Sequence, residues 1–484
     1  MTLHRISTLA IAFSLSVFAF AGGYLTNTNQ HASFLRMIAR GASVSLDGVY
    51  SNPAGLSFLE DEKVYLSLTI QSAYQNRDIE SQSLVFANSQ TPDGKRSYHG
   101  KAAAPIVPSI HFAYRKGDWT IASALAITGG GGKASFDQGL PLFEASAIGL
   151  MTKESNGKLT SDMYDISSAM DGKQYIMGLT LGLGRKINEH LSVFAGGRMN
   201  YFMGGYVGHL KVNIKDGVIE ALGQQIVTEA YKQLVAAGMD QAMAMQHAMT
   251  MAQQQGAAML QKLESSAISL DCDQTGWGLT PIIGVFGRLG IVDLAAKYEF
   301  LTNLNIENST NKLERPASAA ELLKPYENGV NTPNDIPSLL TLSAGVNILP
   351  TLRATAEWHF YDDKNARMAG GKQKTLKRGT FEYLAGVEWD ALDRLTISGG
   401  YQKTDYGLSD EYQSDTSFAC DSYSLGFGAK VKLSEKMAMD IAYFWTTYDD
   451  YTKVSENYNG LGVKGVDVYS RTNKVFGVSL EYKF

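Results

Sequence analysis

Leu340-Thr341-Leu342-Ser343-Ala344-Gly345-Val346-Asn347-Ile348-Leu349-Pro350-Thr351-Leu352-Arg353-Ala354-Thr355-Ala356-Glu357-Trp358-His359-Phe360 reads as two strands joined by a proline turn. Leu340, Leu342, Ala344, Val346 and Ile348 share one side of the first arm, and Leu352, Ala354, Ala356, Trp358 and Phe360 share one side of the second. Their partners on the other face are small or polar: Thr341, Ser343, Gly345, Asn347, Arg353, Thr355, Glu357 and His359. Successive strand side chains point to opposite faces, so a period of two marks a sheet with one apolar side. A connection as short as Leu349-Pro350-Thr351 closes an antiparallel hairpin.

Working outward, the same unit recurs. Short turns fall at Lys116-Gly117-Asp118, Asn188-Glu189-His190, Leu289-Gly290, Ala391 to Arg394 and Ser434-Glu435-Lys436, each flanked by alternating runs, and the hairpins are linked by long polar loops. Six short turns join twelve strands, and one strand at each end gives about fourteen. An even number of strands with an apolar outer band and a polar interior is the pattern of a bacterial membrane barrel. The last strand has Phe476, Val478, Leu480, Tyr482 and Phe484 on one face and Gly477, Ser479, Glu481 and Lys483 on the other. Phe484 is the residue expected to end such a barrel and to present the strand to barrel-assembly machinery. The expected architecture is all-β: a 14-stranded antiparallel transmembrane β-barrel over residues 62–484, with short turns on the periplasmic side and long loops outside.

Composition agrees. Charged residues make up 19%, below the roughly 25% of soluble domains, and the 48 glycines exceed the about 34 expected at average usage. The 25 tyrosines suit a membrane interface, where the ring prefers the apolar edge and the hydroxyl stays hydrated. A net charge of −5 speaks against a nucleic-acid surface. His4 and Arg5, the apolar run from Ile6 to Phe20, and Ala19-Phe20-Ala21 read as a signal peptide over residues 1–21, cleaved before Gly22. That address places the chain in the outer membrane of a Gram-negative-type bacterium, among its lipids. Cys272 and Cys420 fall far apart around the barrel, so two free thiols are expected.

Two loops stand out. From Asp216 to Glu264 the spacing of Ile219, Leu222, Ile226 and Ala230 is helical, and Met239, Met243, Met245 and Met249 follow, with further methionines beyond. Methionine is flexible and polarizable, so this helical extracellular loop offers either an apolar ligand groove or a lid. Gly129-Gly130-Gly131-Gly132, at the outer end of the third strand, weakens ladder pairing and permits a bulge that would open a side port, or else a plain flexible loop.

Between Gly22 and Asp61 lie some forty residues too apolar for a disordered tail. A barrel of this size encloses a lumen that side chains alone do not fill, so residues 22–61 are expected to form a plug. Gly22-Gly23-Tyr24, the stretch from Arg40 through Asp47, and Asn52-Pro53-Ala54-Gly55-Leu56 resemble the N-terminal hatch of the FadL-type outer-membrane transporters of long-chain fatty acids. Motif identity is confined to the hatch, and Met37-Ile38-Ala39-Arg40 stands where the family is often richer in glycine. The resemblance implies a hatch-plugged barrel that takes up hydrophobic molecules by diffusion, without cofactor, metal or energy-coupling partner. It also implies that Gly22, Gly23 and Tyr24 sit near the ligand, while Asn52, Pro53, Ala54 and Gly55 hold the hatch.

A buried carboxylate needs a cation or hydrogen-bond donors, which makes the inward Arg198, Lys297 and Arg353 candidate contacts for a fatty-acid head group; lumen ion pairs such as Lys297 with Asp293 are the competing reading. A general porin explains the barrel but neither the plug nor the methionine-rich loop. An outer-membrane hydrolase lacks support, since the eight histidines are scattered and show no Ser-His-Asp spacing or close metal-ligand cluster.

Overall fold

The computed structural model describes residues 30–484 apart from Asn156, Ser265 and Ser266. The expected signal peptide and Gly22, Gly23 and Tyr24 therefore lie outside the described residues. One antiparallel sheet holds the strands β1 (Lys63–Ser83), β2 (Lys95–Lys116), β3 (Trp119–Phe136), β4 (Tyr164–Lys186), β5 (Leu191–Ile214), β6 (Ile268–Leu289), β7 (Val292–Glu299) and β8 (Asn305–Glu314). It continues through β9 (Asn331–Pro333), β10 (Leu339–Leu349), β11 (Leu352–Tyr361), β12 (Thr380–Leu392), β13 (Leu395–Asp405), β14 (Ser422–Lys432), β15 (Met437–Tyr448), β16 (Tyr451–Ser455) and β17 (Gly465–Lys483).

Three staves are interrupted: β7 and β8 both pair with β6, β10 and β9 pair with them in turn, and β15 and β16 both pair with β17. The 17 segments are thus fourteen staves, closed by pairing of β1 with β17 along their whole length. Closure leaves no sheet edge to template aggregation. All six short turns join adjacent staves at one end, where the N–H of Phe484 also donates to the carbonyl of Val64 at 2.9 Å. Leu68 and Ile70 are 52% and 56% exposed while Ser67 and Thr69 between them are buried, which is the expected apolar-out, polar-in alternation. Among the described residues no helix is long and apolar enough to cross a membrane, and the strands do the crossing.

The wall is uneven in height. β1 to β6 run 18 to 24 residues, against about 9–11 needed to span a bilayer. β10 to β15 run only 10 to 13. The tall side therefore projects beyond the membrane, and the loops that follow β8, β11 and β13 fold in to cover the lower side. Cys272 on β6 and Cys420 before β14 are buried free thiols.

Residues ahead of β1 fill the bottom of the lumen. They form α1 (Ala32–Met37), α2 (Gly48–Ser51) and a 3-10 turn over Pro53–Phe58. α1 packs Phe34, Leu35 and Ile38 against Leu384, Ala442, Phe444 and Val475 of the low side. The 3-10 end packs Ala54, Leu56 and Leu59 against Ala113, Phe194 and Phe286 of the tall side. Two inward glycines let the hatch come this close: a Cβ on Gly386 would lie 2.1 Å from the carbonyl oxygen of Met37, and one on Gly426 equally close to that of Leu35. Further helices are α3 (Pro141–Glu154) in the loop after β3, and α4 (Val218–Ala236) with α5 (Gln241–Glu264) in the loop after β5.

Candidate functional site: a plugged lumen with a gap in its wall

The hatch is fastened by ionic contacts. Arg36 donates to Glu388 and Asp440, both at 2.6 Å, and to Ser398 at 2.8 Å. Arg40 makes two hydrogen bonds to Asp47, at 2.7 and 2.9 Å, and reaches Glu388 at 3.2 Å. Burial by itself would push the Asp47 carboxyl up, but the Arg40 guanidinium outweighs it and holds that carboxyl far below the usual range. The N–H of Gly41 donates to Glu357 at 2.6 Å. Asn52 does two things: its Oδ1 accepts from the N–H of Ala54 at 3.2 Å, capping the 3-10 turn, and its Nδ2 donates to the wall carbonyl of Val285 at 3.1 Å. Pro53 follows as the first helical residue, and Ser192 donates to the carbonyl of Ala54 at 2.7 Å. The motif Asn52-Pro53-Ala54-Gly55 is thus a hatch-to-wall joint.

Between α1 and Arg40 the chain passes through a strained bend. Ile38 has φ 63° and ψ −60°, and the N–H of Ala39 donates to the carbonyl of Met37 at 2.7 Å, a γ-turn of the rare positive-φ kind. A β-branched residue there costs of order 1–3 kcal/mol, sustained by the ion pairs of Arg36 and Arg40 on either side.

The three cations expected to contact a carboxylate ligand are engaged with acids of the barrel. Arg198 grips Glu299 at 2.7 and 3.2 Å and lies 4.9 Å over the Tyr50 ring. Lys297 donates to the same Glu299 at 2.6 Å and to the carbonyl of Tyr50 at 2.8 Å, whereas Asp293 pairs with Arg288. Arg353 holds Asp390 at 2.9 and 3.0 Å and lines a polar cavity of about 360 Å³ at the short-turn end, together with Arg36, Arg40, Glu388 and Lys432. These side chains brace the hatch and its vestibule. The sequence shows inward polar positions but not the stagger between staves that decides which of them meet.

Sequence reasoning missed the pair that faces the upper lumen. Arg77 and Arg471 are direct cross-strand neighbours of β1 and β17, and both donate to Gln75 Oε1 at 3.3 Å. The Arg471 guanidinium lies 4.9 Å over the Tyr448 ring, and among the described residues Arg471 makes no ion pair. Above them the lumen is filled by a packed cluster of Ile79, Tyr98, Phe136, Tyr206, Phe418 and Tyr469, in which the Tyr469 and Tyr98 hydroxyls donate to Asp415 and Glu144. The signal was present as two arginines at inward alternation positions; that they oppose each other follows only from the register.

Beside this pair the wall opens. β2 and β3 are paired up to Ala103 with Lys133 and again from Ser109 with Ala126, with no register partners between, and β3 is bulged against β4 at Gly129 and Gly132. Gly130 and Gly132 have φ 104° and 70°, and a Cβ on Gly130 would lie 2.4 Å from the Gln174 carbonyl oxygen, so the gap depends on glycine. A cavity of about 100 Å³ runs from Gln30, Leu35 and Gln75 inside to Gly129, Gly130, Gly131 and Gly132 and the outward Tyr175. The break between β7 and β8 is sealed: buried Asp335 accepts from the N–H groups of Leu304 and Arg367 at 3.0 and 3.1 Å and from the Arg367 guanidinium.

The methionines are divided. Ala244, Ala248 and Ala252 are buried on the side of α5 that meets α4, which puts Met243 on one flank and Met245 with Met249 on the other; Met239 precedes the helix. They do not line a common groove. His31, Asp440 and Glu481 also converge, with ligand atoms within 4.8 Å of one another. Asp440 is held by Arg36 and Glu481 by Lys430, and His31 Nδ1 accepts from the N–H of Ser33, so the cluster is charge-balanced and engaged.

No protein-family model matches the sequence, and no curated protein matches it. Among solved structures, a FadL homologue of Pseudomonas aeruginosa superposes with TM-score 0.62 at 14% identity, covering 95% of this chain and 99% of that one. The chain has the fold of the FadL-type outer-membrane transporters. The toluene transporter TodX of P. putida shares it at TM-score 0.50 and 12% identity, over 91% of this chain and 94% of that one. A TodX mutant described as a monoaromatic hydrocarbon channel gives 0.51 at 13% identity, over 94% and 99%.

Proposed function

We propose that the chain is an outer-membrane transporter that lets small hydrophobic molecules diffuse from the outside into the upper lumen and out through the gap between β2 and β3. The observation that carries this reading is the glycine-dependent gap adjoining a lumen cavity whose floor is the hatch. An apolar molecule gains roughly 25 cal/mol per Å² of surface removed from water, so an apolar pocket followed by a lateral exit into lipid needs no energy input. No bond is made or broken, which makes catalysis unnecessary to the reading.

The ligand class we favour is an amphipathic carboxylate such as a fatty acid, with Arg77 and Arg471 meeting the head group and the aromatic cluster the tail. Charge-assisted hydrogen bonds suit a desolvated carboxylate. A neutral aromatic hydrocarbon is the second reading, favoured by the tyrosines and phenylalanines packed in that cluster. Binding of laurate and toluene to the purified protein tests both. Under the first reading R471M weakens laurate about tenfold or more and leaves toluene unchanged, since a hydrogen bond to a charged group is worth about 1.5–3 kcal/mol. Equal laurate affinity in both proteins would remove the carboxylate anchor. Absence of saturable binding for either ligand would remove the transporter reading.

A further inference from the structure

The route to the gap between β2 and β3 is lined by carboxamides rather than by charge. Along β1 and β17 the register sets Arg77 opposite Arg471, Gln75 opposite Asn473 and Gln71 opposite Gly477, a polar ladder that leads from the arginine pair toward the hatch. Gln75 Oε1 accepts from both arginines at 3.3 Å and so joins the two levels. A Cβ on Gly131 would lie 2.7 Å from Arg77 Nη2, which puts that guanidinium at the upper lip of the gap. Below it, the cavity of about 100 Å³ that reaches the gap is lined by Gln30, Gln71, Gln75 and Asn473, and among the described residues by no Asp, Glu, Lys, Arg or His.

Two of these carboxamides wait for a donor. Gln30 and Asn473 are 8% and 5% exposed, and among the described residues neither amide oxygen has a hydrogen-bond partner. A buried acceptor without a donor is costly, and one placed on a transport route is explained by a donor that arrives with the cargo. A carboxylate is not that donor, because it offers only acceptors and brings a charge that no side chain lining the cavity balances. A carboxylic acid, an alcohol or a phenol has an O–H to give.

We propose that Gln30, Gln71, Gln75 and Asn473 form a collar that passes cargo whose polar end is a neutral hydrogen-bond donor, so that a fatty acid leaves the lumen in its protonated form. The inference rests on the lateral-exit reading above and adds a selection step to it. The carboxylate is held at Arg77 and Arg471, takes a proton from water, which forms its O–H bond, and then donates that O–H to Asn473 or Gln30 on its way to the gap. Entry into lipid as the neutral acid also avoids carrying a bare charge into the membrane. An amphiphile that stays ionised binds at the arginines and stops there, whereas a hydrocarbon passes without using the collar.

Four probes test the collar: laurate, 1-dodecanol, toluene, and dodecane-1-sulfonate, which stays ionised at any working pH. Uptake is read in cells that lack another transporter of this fold, as the rate gained on expressing the full chain, and binding to the purified protein is titrated in parallel. The sulfonate is expected to bind within about threefold of laurate yet to be taken up about tenfold or more slowly, as a charge without a partner on the exit route requires. N473L, which keeps a branched side chain and is checked for normal assembly by heat-modifiable mobility, should slow dodecanol about fivefold, the loss of one neutral hydrogen bond, and leave toluene unchanged. Sulfonate taken up as fast as laurate, or dodecanol uptake untouched by N473L, would overturn the collar while leaving the lateral exit standing. A rate gain for none of the four would remove the transport reading and the collar with it.

Discussion

Arg40 and Asp47 make a two-pronged ion pair within the hatch, and both are buried, Asp47 completely. Removing one partner of a buried pair leaves an uncompensated charge and costs about 3–5 kcal/mol, so D47N should loosen the hatch and raise single-channel conductance in planar bilayers. The pH dependence has a definite sign. Because the Asp47 carboxyl is depressed in the folded state, its contribution is full above the unfolded value near 4 and is lost only as pH falls through the much lower folded value. Conductance of the parent protein at pH 4.5 should therefore match that at pH 7, with D47N high at both. Opening of the parent protein at pH 4.5 would contradict the assigned strength of this pair. Ile38 lies between Arg36 and Arg40, so the released strain favours motion at that bend rather than elsewhere.

At the level of elements, β3 is the strand whose sequence departs from its neighbours, and its departure is where the wall opens. Replacing Gly130-Gly131-Gly132 by Thr-Val-Thr forbids the positive φ angles and supplies β-branched side chains that favour continuous pairing. The expected outcome is a barrel that assembles normally, judged by heat-modifiable mobility in gels, but takes up labelled ligand about tenfold or more slowly, a barrier increase of about 1.4 kcal/mol or more. Undiminished uptake would place the exit elsewhere. The loop after β11 allows a second test. Burial, and then the nearby Lys453, push the Lys372 ammonium down to about 7. Between pH 7 and about 10.4 the folded state binds fewer protons than the unfolded chain, so loop stability rises with pH there and is lost as pH falls through 7. Limited proteolysis within residues 362–379 should be faster at pH 6 than at pH 9, and K372M should remove or reverse the difference, because the Asp363 carboxyl of the same loop, pushed by burial up to about 7, then acts alone and favours the folded loop at the lower pH. Much of this was legible in the chain. The hairpin around Pro350 and the five like it gave away stave number and antiparallel order, because a two- or three-residue connection admits one topology. The hatch was legible as apolar mass with nowhere else to sit. Phe418, Leu323 and Tyr326 were not legible as lumen lining, since loops carry no period, and neither was the partnership of Arg198 with Glu299, which depends on the stagger across three staves.

For the molecule as a whole, hatch and barrel are electrostatic complements. Arg36 pairs with both Glu388 and Asp440 of the wall, Arg40 reaches Glu388 beside its own partner Asp47, and the N–H of Gly41 supplies a donor to Glu357. Arg198 and Lys297, by contrast, share Glu299 within the wall itself and keep their partner without the hatch. Deleting residues 22–61 should therefore do more than open a pore. It strips Arg36 and Arg40 from Glu388 and Asp440 on the low side, leaving Glu388 to Arg353, 3.7 Å away and already paired with Asp390, and Asp440 to the neighbouring Lys430, already paired with Glu481. A lumen left with more carboxylate than cation raises the local concentration of counter-ions of the opposite sign. The truncated barrel is expected to conduct strongly and to prefer potassium over chloride, read as a reversal-potential shift across a KCl gradient, whereas the intact chain conducts little. Adding E388Q and D440N to the truncation should bring the reversal potential back toward zero without lowering conductance. If the truncated barrel conducts without preference, the acids around the hatch are neutralised by the wall alone and the complementarity is not real; if the intact chain already conducts strongly, the hatch is no plug and the porin reading prevails.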